Sequence, residues 1–482
     1  MATENYGAFA QLTSSLANTP VSTDTIIIFI GASAAGDLNE AKLITSMADY
    51  STLLGGTPGD GYNLTEAAIA AFQIAGISKC YMIPVSNSKT FNAADYIGNA
   101  EQYTGVHAVE KLFMNSPTAV NILCAPSITT GSVIAELMSV AKKANGHWDS
   151  FVIVDGVVSE DAISGSAFID PSEITKIVSD EQAVQCVGRV KTSGGYDVSL
   201  AAVRACLMAV SDADYGIPAR SGGNLHIQNM VSWGDIVHNP IEIPFTWEYS
   251  ANNYTITLTD VTGDGSVYIK GSIVTGYSGP GPIYTNIDGV FEYTSGVIVI
   301  TIENDPGSSI ADMKISIHEN TTGYYPITLS ESMATQLSAD GICSVINYGG
   351  GLWHTWGDHT SAFYGGTVSD ERARFDNTIR MNIMITNRFQ LKYRFEIDNP
   401  MTLQMRNDVI DEELDYLNGL VAGGGLIGEP SVEFRAADNG VDQVSQGYFT
   451  WTTKDTPVPP SKYMLNKVAY TQAGLSVYTQ NT

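Results

Sequence analysis

Apolar residues run in unbroken blocks through the first half of the chain. Thr25 to Ile30 reads TIIIFI and stops at Gly31, the pattern of a strand buried on both faces. Asn63 to Ala75 places Ala, Ile and Phe along one side of a helix that Asn63 caps and Gly76 ends. Strand patterns return at Lys79 to Val85, Asn121 to Ala125, Phe151 to Asp155 and Val184 to Val190, with helices predicted from about Ser132 to Lys143 and from Pro171. Strands alternating with helices predict crossovers and a largely parallel or mixed sheet. This α/β region extends to about His238, and the weakly patterned residues before it, up to about Val21, predict an arm ordered only against something else.

At Asn239 the pattern changes. Short β-branched runs at Tyr254 to Leu258, Val267 to Lys270, Val297 to Ile302 and Lys314 to Ile317 alternate with Gly, Pro and Asp turn formers up to about Thr328. That predicts an all-β insert, a small sandwich on the outer surface. Beyond it, Phe375, Ile379, Ile383, Phe389 and Tyr393 recur at helical spacing until Asn399 and Pro400 break the pattern. A second helix, Thr402 to Leu420, sets Leu403, Ile410, Leu414, Leu417 and Val421 on one side and the carboxylates of Asp408, Asp411, Glu412 and Asp415 on the other. Both a solvated face and a docking surface fit this acidic stripe. Thr456 to Pro460 reads as a stiff spacer, and Ala469 to Tyr478 as a β-prone tail without a home sheet. The expected architecture is a multi-domain α/β (α+β mixed) protein: an arm at 1–21, an α/β region at 22–238, an all-β sandwich-like insert at 239–328, a C-terminal α/β domain at 329–468 and an arm at 469–482.

Composition narrows the function. With 24 basic against 51 acidic residues and a formal charge of −27, the chain repels phosphate backbones and anionic lipid, which argues against nucleic acid and membrane as partners. The five cysteines, Cys80, Cys124, Cys186, Cys206 and Cys343, are far apart and contain no C-x-x-C pair, as expected of buried thiols in a reducing compartment. The first residues lack a basic region followed by an apolar core, and no apolar run reaches spanning length, so a cytoplasmic site of synthesis is expected.

Candidate chemistry is sparse. His354, Asp358 and His359 are possible metal ligands, but the histidines are five apart and Gly357 interrupts any helix, so the two tryptophans nearby read better as apolar packing anchors. Gly31 to Gly36 follows a strand, where a phosphate loop would sit, yet lacks the G-x-G and Gly-Lys-Ser/Thr signatures. Asp155 with Ser159, Asp161, Ser164 and Ser166 admits a cation site, and polar loop residues are the ordinary alternative. No catalytic constellation appears at a recognised spacing, so an enzyme is not expected and no cofactor is implied.

The order of motifs resembles the contractile tail sheath proteins of phages and related injection machines. The correspondence runs through Ile30-Gly31, Thr45-Ser46, Asp49-Tyr50, Gly55-Gly56, the Ala67 to Gly76 helix, Cys80-Tyr81, the strand closing at Pro126, Trp148 and the loop Asp214 to Ala219. It continues through Trp356-Gly357-Asp358-His359-Thr360, where His359 stands in place of the family's usual arginine. Leu414, Leu417, Gly425 to Gly428, Asp438-Asn439, Gly447 and the Pro457 to Pro460 spacer complete it, with residues 239–328 expected outside the shared part. The resemblance implies a structural subunit that stacks as hexameric rings in a helical sleeve around a tail tube and contracts to drive the tube through a bacterial envelope. Its implied partners are further copies of itself, the tube protein, and baseplate and terminator proteins, in a virion tail or injection particle assembled in the host cytoplasm. A surface-array or adhesin-type protein and a metal-dependent enzyme are the alternatives. In the sheath setting Trp353, Trp356, Gly357, His359 and Thr360 are landmarks of the core, and Asp408, Asp411, Glu412 and Asp415 are the expected tube contact. Tyr6, Phe9 and Leu12 at one end and Leu475, Val477 and Tyr478 at the other are expected to join neighbouring subunits by strand addition.

Overall fold

A computed structural model describes residues 24–116, 118–142, 148–158, 174–242, 245–250, 253–259, 265–278, 281–301, 314–326 and 329–478. The expected N-terminal arm with Tyr6, Phe9 and Leu12, the start of the helix expected at Pro171, and Ser159, Asp161, Ser164 and Ser166 lie outside the described residues.

The apolar runs of the first half form β1 (Thr25–Ala32), β2 (Lys42–Ile44), β3 (Cys80–Ser86), β4 (Val120–Cys124), β5 (Phe151–Asp155) and β6 (Ala183–Cys186). After a bend come β7 (Arg189–Thr192) and β8 (Asp197–Ser199), so the single strand expected from Val184 to Val190 is two. The β-rich middle comprises β9 (Met230–Glu242), β10 (Phe245–Ser250), β11 (Asn253–Leu258), β12 (Gly265–Ser278), β13 (Gly281–Tyr293), β14 (Val297–Thr301) and β15 (Lys314–Pro326). The last third adds β16 (Ile342–Asn347), β17 (Trp353–Trp356), β18 (Ser431–Glu433) and β19 (Thr452–Lys454).

An eight-stranded sheet, ordered β17-β16-β6-β5-β4-β1-β3-β2, forms the body. Its six inner strands are parallel, and the edge strands β2 and β17 are antiparallel. Alternation along β1 explains the two layers that cover it. Ile27 and Phe29 face one core with Ile44 and the helices α1 (Asn63–Ile69) and α2 (Leu200–Tyr215), whereas Ile26, Ile28 and Ile30 face another with Leu123, Val133 and Leu137. Ile26 to Ile30 are at most 5% exposed, and each such side chain contributes about 1.5–3 kcal/mol of burial.

Helix α1 continues as a wider π turn over Ala70–Ala75 and stops at Gly76, whose φ of 69° suits glycine. Asn63 does not cap it; Tyr62 holds the cap position without a side-chain bond, and the Asn63 amide is used elsewhere. Helix α2 carries twelve buried residues among its sixteen, from Leu200 to Asp212. Helix α3 (Asp376–Tyr393) lies where the periodic run predicted it, and α4 (Leu403–Ala422) starts at Thr402, whose hydroxyl accepts from Met405 N. Leu403, expected on the apolar side, is 74% exposed, because only Val409, Leu417 and Leu420 complete the buried stripe with Glu413.

One expected boundary falls within a strand, and another separates strands of a single sheet. Strand β9 starts in the α/β region, pairs with β7 there and runs on to Glu242, so a six-stranded sheet ordered β8-β7-β9-β15-β12-β13 bridges the boundary expected at 238. It faces the three-stranded sheet β10-β11-β14 over Ile256, Leu258, Val267, Ile269, Ile298 and Ile317, a sandwich rooted in the body. Gly188, between β6 and β7, packs there against Trp233: a Cβ would sit 2.3 Å from the indole Nε1, which donates to Val187 O at 3.1 Å. The second boundary fails because β16 and β17, assigned by sequence to a separate C-terminal domain, return to the first sheet, with Cys343 beside Cys186 in parallel register. The tail expected as a strand is instead a short 3-10 helix over Ala473–Tyr478, which contains Leu475, Val477 and Tyr478. No helix among the described residues is long and apolar enough to cross a membrane.

Candidate functional site

In a sheet of this order the ligand crevice belongs where β1 and β4 diverge, since their crossovers leave on opposite faces. Here the chain closes it. Asn63 accepts from Ala32 N at 2.6 Å and donates to Tyr96 Oη at 2.9 Å and Pro126 O at 3.0 Å. A Cβ on Gly31 would stand 2.4 Å from Asn63 Oδ1, so the glycine gives its space to an amide plug and leaves none for a phosphate. Asp155 is likewise engaged: it accepts from Ser127 N (2.7 Å), Ser199 Oγ (2.5 Å) and Ala201 N (3.2 Å) at the start of α2. Burial pushes its carboxyl up, against those hydrogen bonds and Arg189. Arg189 in turn pairs with Glu66 at 2.8 Å.

The Trp353 to Thr360 segment is split between an edge and the interior. Trp353 packs half-buried against the main core, while Trp356 is half-buried with its ring 6.5 Å from Tyr348. Gly357, at φ 101°, turns the chain inward. His359 is 7% exposed, stacked on Phe363 at 3.8 Å between ring centres, and its Nδ1 donates to Ser338 O at 2.8 Å. Burial pushes its pKa down to about 4, outweighing the pull of Asp358 3.6 Å away. Lys462, from the last stretch of the chain, donates to that same Asp358, and Thr360 is buried with its hydroxyl on Ala373 O. His354 lies on the edge strand instead, and burial, then His226 and Arg220, hold it below the usual imidazole range. The sequence pattern thus does not gather His354 and His359 into one donor set, and among the described residues no three His, Cys, Asp or Glu side chains converge on a metal position.

Behind this segment two buried ion pairs tie α2 to α3. Arg204 donates to Asp376 at 2.7 Å and Arg380 to Asp212 at 2.5 Å, all four at most 3% exposed. Gly222 N and Arg220 O supply further bonds to Asp376 and Arg380, at 2.9 and 2.6 Å. These residues come from segments more than 150 positions apart, so local pattern carried no sign of them.

The acidic stripe on α4 is not uniform. Asp411 and Asp415 are exposed, Asp408 accepts from Gln404 at 2.6 Å, and Glu412 pairs with Lys392 at 2.7 Å. Glu413, which the stripe omitted, is the buried one: Arg388 binds both its oxygens at 2.8 and 2.6 Å while stacking over Tyr416. The exposed carboxylates of the stripe are therefore Asp411 and Asp415.

Phe375 and one side of α3, including Ile385, Phe389 and Tyr393, wall a cleft of about 1470 Å³ whose other wall is Trp451 and the segment from β19 to Pro459. Among the described residues β18 and β19 pair only with each other, a two-stranded sheet with open edges. Past Pro457, where Val458 N still bonds Gly425 O at 3.1 Å, the chain leaves the body. Residues 461–475 are all exposed, with Tyr463 at 79%, Met464 at 87%, Val468 at 88% and Tyr470 at 81%. From 456 to 482 the chain has Lys462 and Lys467 and no acidic residue, in a protein of net charge −27.

The fold has close counterparts among solved structures. It is similar to the sheath complex of an extracellular contractile injection system, PVC, in the contracted state, with a TM-score of 0.57 at 14% identity over 99% of each chain. It is similar also to the helical sheath of the anti-feeding prophage in the contracted state, with a TM-score of 0.56 at 13% identity over 97% of this chain and 99% of that one. A chain of the six-fold symmetrised baseplate of the anti-feeding prophage matches with a TM-score of 0.56 at 13% identity over 98% of this chain and all of its own. The matches take in the β-rich middle, so residues 239–328, expected outside the shared part, belong to it. No family model matches the chain, and no curated protein is similar to it in sequence.

Proposed function

We propose that this chain is the structural subunit of a contractile sheath, stacked as hexameric rings in a helical sleeve around a tail tube and rearranging to a shorter, wider lattice that pushes the tube through a bacterial envelope. The observation that carries this reading is the end-to-end likeness to two sheath chains, with a plugged ligand crevice where an α/β enzyme would keep its site. Sheath work needs no cofactor: the extended lattice is a bistable assembly whose stored energy a baseplate signal releases. The likeness to a baseplate chain supports contact with a baseplate, and assembly would take place in the host cytoplasm.

The C-terminal stretch supplies the connection between copies in this reading. Tyr463 and Leu465, and again Val468 and Tyr470, would share a face of an extended segment, and nothing within the described body covers them. The open two-stranded sheet and the aromatic cleft beside it are the receiving site, where main-chain hydrogen bonds keep the mesh joined while the bodies rotate. With Lys462 held by Asp358, Lys467 on an otherwise uncharged stretch suits the acidic surface of another copy. Asp411 and Asp415 are the tube-facing charges, and the tube carries complementary basic residues.

Negative-stain microscopy of the purified chain tests the proposal. Hollow helical tubes are the expected outcome, and monomers that persist at high concentration would count against it.

A further inference from the structure

Independently of any sheath role, the β17 edge of the eight-stranded sheet brings together two histidines that are 128 positions apart in the chain, His226 and His354. The segment before Ile227 lies along β17. Asn224 N bonds Thr355 O at 2.7 Å, Ile227 N bonds Trp353 O at 2.8 Å, and Thr355 N bonds Leu225 O at 2.9 Å. This places His226 opposite His354 in an antiparallel bridge, with ring centres 5.0 Å apart and planes inclined by 45°.

The tautomers follow from the partners. His226 Nδ1 lies 3.2 Å from Trp353 O and His354 Nδ1 lies 3.4 Å from Leu352 O. A carbonyl oxygen only accepts, so each Nδ1 carries the proton and each Nε2 keeps its lone pair. Among the described residues neither Nε2 has a hydrogen-bond partner. An imidazole whose Nδ1–H is tied to a backbone carbonyl is in the state a metal takes through Nε2. Two such nitrogens at about 2.0–2.1 Å from one ion, at a near-tetrahedral angle, put their ring centres about 5 Å apart.

We propose that His226 and His354 together bind one divalent late transition ion of the zinc, nickel or copper type through their Nε2 atoms, with water completing its coordination. Imidazole is a preferred donor for these ions, and the exposed edge leaves the remaining positions open. Arg220 is the nearby opposing charge, so the site is of moderate strength. A bound ion would staple the 222–227 segment to β17, two elements otherwise held by backbone bonds and the Thr355 hydroxyl.

Calorimetric titration of the full chain with Ni²⁺ at pH 7.5, alongside His226→Ala, His354→Ala and His359→Gln, tests this. One site per chain is expected, weakened at least about tenfold by either alanine substitution because chelation is lost, and unchanged by His359→Gln. Copper-loaded protein should show nitrogen hyperfine splitting from two equivalent imidazoles. Absence of binding, an alanine variant that binds as tightly as the unsubstituted chain, or a copper spectrum with fewer than two nitrogens would overturn the proposal. Since both substitutions lie at the sheet edge, unchanged circular dichroism separates loss of the site from loss of fold.

Discussion

The body of the protein and the segment that leaves it after Pro457 solve opposite problems. In the body, key polar side chains taken inside find partners within the chain. Asn63 fills its own crevice, Asp155 binds the start of α2, and Arg204, Asp376, Arg380 and Asp212 close two ion pairs between α2 and α3. After Pro457 the reverse holds: large apolar side chains stand in water beside an open two-stranded sheet and an aromatic cleft. In the proposed reading, another copy of the chain covers what this one leaves exposed. Beyond the bonds at Val458, Lys462 on Asp358 ties the extension to the body and fixes where it departs.

The contrast can be broken most forcefully from inside the body. Asp376→Ala leaves the Arg204 guanidinium buried without its carboxylate and should cost about 3–5 kcal/mol in urea unfolding. Adding Arg204→Met to that variant should recover part of the loss, because the orphaned charge is then gone. Equal stability of wild type and Asp376→Ala would mean that the pair is not closed in solution.

His359 gives a smaller effect with a defined sign. Its folded pKa of about 4 lies below the ordinary 6.5, so above pH 6.5 the imidazole is neutral in both states and its contribution is complete. As pH falls from about 6.5 to 4 the unfolded chain takes up the proton first, and stability declines by about 3 kcal/mol before levelling off. Comparing unfolding free energies of wild type and His359→Gln across that range isolates the term, and parallel pH profiles would refute it.

On the surface the expected effect on the fold is least. Reversing Asp411 and Asp415 to lysine should change stability by no more than about 0.5 kcal/mol, as both are exposed. The same change should weaken docking to the tube, and that loss should shrink as salt rises. Docking that ignores both reversal and salt would remove α4 as the tube contact.

These differences track what the sequence made legible. Strand β1, the stop of α1 at Gly76 and the whole of α3 were readable because their signals are local: a β-branched run, a left-handed glycine, a periodic stripe. Helix α2 has no local signature, for a physical reason. Buried nearly all round, it is rich in Ala, Val and Leu with no polar face, so it has no amphipathic stripe to detect. The return of β16 to β6 joins positions near 343 and 186, a pairing no local pattern encodes, and it also undid the expected domain division. The same distance hid His226 from His354 and Lys462 from Asp358. Within α4 the acidic stripe was visible, but not that Arg388 and Lys392 on α3 neutralise part of that helix.

In the proposed reading the body folds by itself and the extension joins copies. Removing residues 463–482 while keeping Lys462 tests it directly, by comparing unfolding free energy and tube formation with the full chain. The expected result is an unfolding free energy within about 0.5 kcal/mol of the full chain, since residues 463–475 are exposed, together with loss of tubes. Tubes of normal length from the shortened chain would contradict it.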